Sequence, residues 1–206
     1  MQRKSRVISF NLKYFASYLP FIIFVAVYLI GVLIGNLVVG NVAFVKDYAS
    51  EAFDSFYQIR RECLWYDVLR DSAFNILPVF VLIFVLGTSV IGCVCSPAIL
   101  LGLGVRNGLI TGYLYFTYKL EGIMFNCLIL LPSILIMLFG VVLLSLEAFN
   151  FSCIISKVCI KSEMSANVYM HFKSYCVKSG TTLIVAAISI ICDVLLSNLF
   201  IGFFAF

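Results

Sequence analysis

Apolar residues run through this chain in long stretches, with the charges gathered between them. No Asp, Glu, Lys or Arg lies between Lys13 and Lys46, between Asp71 and Arg106, or between Glu121 and Glu147. A helix needs about 20 apolar residues to cross about 30 Å of hydrocarbon. The pattern therefore predicts an all-α integral membrane protein, a single membrane domain over 1–206 with about five transmembrane helices at about 15–39, 74–103, 108–118, 123–146 and 181–203. The uncharged stretch from Ser72 to Val105 is longer than one span and shorter than two, so the second helix is expected to kink near Gly92 and Pro97. The third, 108–118, is then short or half-spanning, which a membrane tolerates only where protein or water satisfies the free backbone ends. Pro132 marks a kink in the fourth.

The polar stretch from 41 to 73 has its own periodicity. Val45, Tyr48, Ala52, Phe56, Ile59 and Cys63 recur every three or four residues, which predicts an amphipathic helix. It either lies on the outer leaflet or a partner, with Trp65 and Tyr66 at headgroup depth, or packs on its own bundle. Lys and Arg divide nine to five in favour of the N-terminus, the turn at Arg106 and the 147–180 segment. This bias places the N-terminus in the cytoplasm and the C-terminus outside, in a multi-pass membrane protein. The first apolar run is too long for a cleaved signal peptide and is expected to stay as an anchor.

Composition narrows the function. At 63% hydrophobic and 12% charged residues the chain cannot cover a water-facing surface. Its net charge of +4 comes from short flanks of apolar runs rather than one basic face, so no nucleic acid is expected as a partner. The cysteines form no C-x-x-C pair and read as small hydrophobes. His171 is the single histidine, and no Gly-x-Ser-x-Gly, H-E-x-x-H or Walker loop occurs, so neither catalysis nor a metal or cofactor is expected.

Three features suggest helix contacts. Gly31 and Gly35, and Gly104, Gly108 and Gly112, form small-xxx-small faces for close backbone approach, within the chain or to another protein. Substitution by Leu should part these faces, whereas Ala should be mild. Arg106, with Asn107 at the expected cytoplasmic turn, should snorkel to headgroups or find a carboxylate. Asp193 sits mid-span on a stripe with Thr182, Ala186, Ser189 and Ser197. It is either an ion or proton site or, the reading the lone acid favours, an interhelical hydrogen-bonding group that Asn could replace.

The sequences YLIGVLIGNLVVGNVAF (Tyr28 to Phe44), LGTSVIGCVCSPAILLGLGVRNGLITGYLY (Leu86 to Tyr115) and EGIMFNCLILLP (Glu121 to Pro132) together resemble the stage II sporulation protein M family of small multispanning bacterial proteins. Arg106, Gly108 and Gly112, the Leu130-Leu131-Pro132 run and Phe151-Ser152 carry the match; DVLLSNLFIGF from Asp193 only approximates the family's pattern. The resemblance implies a noncatalytic scaffold that anchors a peptidoglycan-degrading pair, stage II sporulation proteins D and P, at the septal membrane during engulfment. The resemblance also implies the bacterial cytoplasmic membrane as the location; the expected partners are the lipid bilayer, which composition already requires, and either other membrane proteins, by resemblance these two, or a second copy of the chain in a homo-oligomer. From the residues alone, the alternative is a small transporter or transport-complex subunit, suggested by the Pro97 kink, the short third helix and Asp193.

Overall fold

The computed structural model describes residues 2–62, 64–161 and 168–204. Cys63 of the predicted amphipathic face and Glu163 of the expected cytoplasmic segment lie outside the described residues. All regular structure among the described residues is helical: α1 (Gln2–Asn41), α2 (Ala43–Glu62), α3 (Trp65–Gly87), α4 (Gly92–Phe125), a π-helical turn (Asn126–Leu130), α5 (Leu131–Lys161), α6 (Val168–Phe200) and a closing 3-10 turn (Ile201–Phe203). Four stretches are long and apolar enough to cross a membrane: Tyr18–Asn41, Trp65–Gly87, Gly92–Cys159 and Val168–Phe203. Their outward faces are lined by large apolar side chains, such as Leu29, Leu33 and Leu37 on α1 and Ile184, Ile188 and Leu195 on α6.

The expected second span, 74–103, is not one helix. The chain reverses after Gly87, through a turn built from uncharged hydroxyls that leave no mark in a charge pattern. Thr88 Oγ1 donates to the Val85 carbonyl at 2.7 Å and Ser89 Oγ to that of Leu86 at 2.8 Å, using two of the carbonyls a helix end leaves free. Ser152 of α5 clamps the turn, accepting from the Cys93 N–H at 2.9 Å and donating to the Ser89 carbonyl at 2.7 Å. Gly92 permits the tight return, since a Cβ there would strike the Leu86 carbonyl oxygen.

Pro97 therefore is not the bend. It lies near the start of α4, and the helix continues past Arg106 and Gly108, so 108–118 is the second half of α4 rather than a separate short helix. Arg106 and Asn107 stand in the middle of this helix and not at a cytoplasmic turn. The break in α4 comes at Lys119 (φ 48°, ψ −117°), after which Gly122 packs back on the Leu114 carbonyl. At Pro132, which lacks an N–H, the neighbouring register widens: Leu131 N–H bonds to the Asn126 carbonyl, five residues back.

Helices α1 and α4 run parallel along the glycine faces. Gly31 faces Leu101 and Gly104, Gly35 faces Val105 and Gly108, and Gly112 faces Asn36. A Cβ at Gly31, Gly35, Gly104 or Gly108 would meet a backbone carbonyl oxygen of the opposite helix, at Leu101, Val105, Tyr28 or Val32 respectively. Even Ala must push backbones apart at these four positions, contrary to the mildness expected. At Gly112 the nearest atom is the Asn36 side-chain oxygen at 2.8 Å, which can swing away. Elsewhere α5 and α6 are antiparallel: Ser133 meets Ser189, and Glu147 meets Lys178.

Helix α2 covers the bundle at the end where α1 finishes and α3 begins. Ala49, Phe53, Tyr57 and Arg60 are its buried positions. Phe53 stands in a ring of aromatic side chains with Tyr57, Tyr113, Tyr118 and Phe125. The buried face is thus offset from the predicted one, which leaves Tyr48 exposed and turns Ala52, Phe56 and Ile59 over a cavity.

Candidate functional site

Arg60 ends the face of α2 that points into the bundle, and its side chain is only 2% exposed. An unpaired guanidinium there would be costly, and each of its N–H groups has a partner. Nη2 lies 2.6 Å from Asp193 Oδ2 and 3.3 Å from Ser72 Oγ. Nη1 lies 3.2 Å from Asp71 Oδ2 and 3.4 Å from the Phe56 carbonyl, and Nε donates to Ser197 Oγ at 3.1 Å. The Phe56 ring lies 3.4 Å from the guanidinium carbon, so the cation is also stacked.

Asp193 is the other pole of the cluster. Its Oδ2 also accepts from Ser72 Oγ at 2.6 Å, and Ser133 Oγ stands 3.5 Å from Oδ1. One carboxylate thereby ties together α2, α3, α5 and α6. The predicted small-residue stripe is the buried face of α6: Thr182, Ala186, Ser189, Asp193 and Ser197 are all buried, and Ser189 Oγ donates to the Ser133 carbonyl at 2.8 Å. Asp193 thus accepts from an arginine and two serines, and the ion pair is one that the sequence reading did not foresee.

Beside this cluster lies a cavity of about 340 Å³ lined by residues of α2, α3, α4, α5 and α6. Its floor is buried, with Ser72, Ser133 and Asp193, while its rim carries the exposed side chains of Tyr48, Asn75 and Arg106 from three different helices. Asn75 donates to Asp71 Oδ1 at 3.2 Å. Arg106 has no hydrogen bond or ion pair with any described residue, although Tyr28, Tyr48 and Asp71 are its electrostatic neighbours. Asn107, one residue on, turns the other way and donates to Tyr28 Oη at 2.9 Å, joining α4 to α1.

The structure therefore separates the predicted residues into two groups. Asp193, Ser189 and Ser197 meet in the polar cluster, with Arg106 across the cavity; the glycines and Asn107 belong to the α1–α4 seam. Arg60, Asp71, Ser72 and Ser133 were missed. Arg60 had one available signal, its place four residues after Phe56 on an amphipathic helix. Among the described residues no group of three or more His, Cys, Asp or Glu side chains is placed to hold a metal. Comparison of the chain with family models, curated proteins and solved structures returns no match.

Proposed function

We propose that this chain is a five-crossing membrane protein that holds a small polar solute in the cavity beneath α2, as a small transporter or the membrane subunit of a transport complex. The carrying observation is Arg106. A guanidinium at the middle of a spanning helix costs at least about 2.5–3.5 kcal/mol on insertion scales, and intramembrane charges without a structural partner mark substrate or ion paths. Here the charge lines a cavity whose wall is mostly apolar, with a few polar groups, and makes no bond that packing requires. The crossings are α1, α3, α4 up to Tyr118, α5 and α6. The parallel α1–α4 seam supports this count, since α3 must then return the chain between them. The N-terminus is cytoplasmic: with Arg106 inside the bundle, Lys and Arg still divide eight to five toward that side. By the resemblance, the membrane would be the bacterial cytoplasmic one.

A noncatalytic scaffold is the second reading. It is favoured by Phe44, Leu64, Trp65 and Tyr66, large side chains exposed at one end of the bundle where a membrane partner could dock. By resemblance the partners would be stage II sporulation proteins D and P. Against it, the glycine faces and the buried face of α2 are already occupied within the chain.

Adjacent positions on α5 test the cavity. Ile134 lines it, whereas Leu135 points outward and is 54% exposed. In a background with the eight native cysteines replaced by alanine, a charged, membrane-impermeant thiol reagent should modify Ile134→Cys in liposomes and leave Leu135→Cys untouched. Liposome swelling should then show a solute flux that Ala52→Trp, which fills the cavity, abolishes. If Ile134→Cys stays unmodified and no solute moves, the scaffold reading takes precedence.

A further inference from the structure

We infer that the cavity recognises a small zwitterion, with a carboxylate or phosphate on Arg106 and a primary ammonium on Asp71. This rests on the cavity being a binding site, as proposed above, and names the chemistry of its occupant. The argument starts from which polar atoms are already used. A guanidinium has five N–H donors, and those of Arg60 are directed to Asp71, Asp193, Ser72, Ser197 and the Phe56 carbonyl. Asp193 lies on the buried floor of the cavity, its side chain 8% exposed and its Oδ2 shared by Arg60 and Ser72. Arg60 thus has no donor to spare, and Asp193 is far less accessible than the charges nearer the rim.

Two charged groups nearer the rim have capacity to spare. Arg106 is exposed on the rim with no partner among the described residues. Asp71 keeps its side chain 24% exposed, and although Oδ2 meets Arg60 and Oδ1 meets Asn75, each carboxylate oxygen can accept a further bond. Arg60, Asp71 and Asp193 together carry one net negative charge, and Arg106 on α4 carries one positive. The lining is balanced but polarised. A simple anion or cation would leave an uncompensated charge in a low-dielectric site, whereas a zwitterion meets both ends and leaves none. Tyr48, whose hydroxyl is an additional donor, completes the Arg106 side of the rim. The volume, about 340 Å³, lies at the lower end of the roughly 300–1,000 Å³ of ligand sites, which suits an amino acid or a headgroup.

This chemistry has two sources, a free α-amino acid and the phosphoethanolamine headgroup of a bilayer lipid. Both are tested on the full-length protein. In detergent after lipid removal, thermal unfolding is followed with L-alanine and glycerophosphoethanolamine as zwitterions, and with L-alaninamide and L-lactate as analogues that keep one charge each. At least one zwitterion should raise the melting temperature saturably, at tenfold or more lower concentration than either single-charge analogue. Arg106→Gln should remove that advantage. In nanodiscs of equal phosphatidylethanolamine, phosphatidylglycerol and phosphatidylcholine, native mass spectrometry reads the lipid arm. Selective retention of phosphatidylethanolamine, lost in Arg106→Gln, assigns the headgroup; an L-alanine response without it assigns the free solute. Asp71→Asn also loosens Arg60, so the ammonium end is judged on the wild type, from L-lactate and from phosphatidylglycerol. The inference is overturned if L-lactate or L-alaninamide matches the zwitterions, if phosphatidylglycerol is retained as well as phosphatidylethanolamine, or if nothing binds. A modified Ile134→Cys combined with any of those results sinks the zwitterion and leaves the cavity standing. An unmodified Ile134→Cys with no binding removes both.

Discussion

The α1–α4 seam and the Arg60–Asp193 cluster are two solutions to the same problem, joining helices where hydrophobicity gives no net attraction between them. In the seam, side chains are removed until backbones touch, and Gly31, Gly35, Gly104 and Gly108 each leave no room for a Cβ. In the cluster, one long side chain from α2 reaches across to α3 and α6, and α5 joins through Ser133. The first solution leaves no free volume. The second holds its helices apart at the length of an arginine, and the cavity opens beside it. Space for a ligand is thus a consequence of how these helices are tied.

The largest expected effect comes from unpairing the cluster. Removing one partner of a buried ion pair costs about 3–5 kcal/mol, because the remaining charge stays buried. Asp193→Asn keeps an acceptor for Ser72 but leaves Arg60 with Asp71 as its single carboxylate, so it should clearly lower thermal stability in detergent. The tolerance expected for Asn as an interhelical hydrogen-bonding group is therefore replaced by a deficit. Arg60→Met with Asp193→Leu should cost less than the sum of the two single changes, since the one charge then left unpaired is the partly exposed Asp71. A double variant no better than additive would show that the pair does not act as a unit.

The seam should respond to smaller changes in side chain. Gly104→Ala places a methyl against the Tyr28 carbonyl and should cost about 1–3 kcal/mol, the range for overpacking, with a larger loss for Leu. Gly102 is two residues away on the same helix and has nothing within 4 Å of an added Cβ. Gly102→Ala should leave melting unchanged or raise it slightly through better helix propensity. Equal effects at the two positions would mean that backbone contact does not hold the seam.

The two regions also differ in how far the sequence discloses them. Glycines four apart on an apolar helix announce a close contact, because only their lack of a side chain matters and the spacing is local. The α6 stripe was legible for the same reason: Thr182, Ala186, Ser189, Asp193 and Ser197 share one face whatever lies opposite. The partner of Asp193 was not, since Arg60 precedes it by 133 positions and sits in a segment whose charges fit the polar face of an amphipathic helix. Arg106 was misplaced because a lone charge after an uncharged stretch reads as a turn, while the true turn at Thr88 and Ser89 carries no charge. Hydroxyls can close a helix end as well as charges can, and hydropathy cannot distinguish them from the rest of a span.

The smallest expected loss isolates burial from charge. Lys178 and Glu147 also join two helices by an ion pair, α6 to α5, with Nζ 2.8 Å from Oε1. Distance alone would rank it close to Arg60–Asp193, at 2.6 Å. Its side chains, however, are 53% and 29% exposed, against 2% and 8% for the buried pair. Water or headgroups can solvate either partner once the other is gone, so little charge is stranded, and exposed pairs are typically worth about 0.2–1 kcal/mol. Lys178→Ala should therefore shift the melting temperature by a small fraction of the Asp193→Asn shift, and added salt should shrink the Lys178→Ala shift further. Measured side by side, the two variants decide whether the α2–α6 tie is strong because it is ionic or because it is buried. A Lys178→Ala loss as large as that of Asp193→Asn would favour the former and remove the distinction drawn between the cluster and the rest of the molecule.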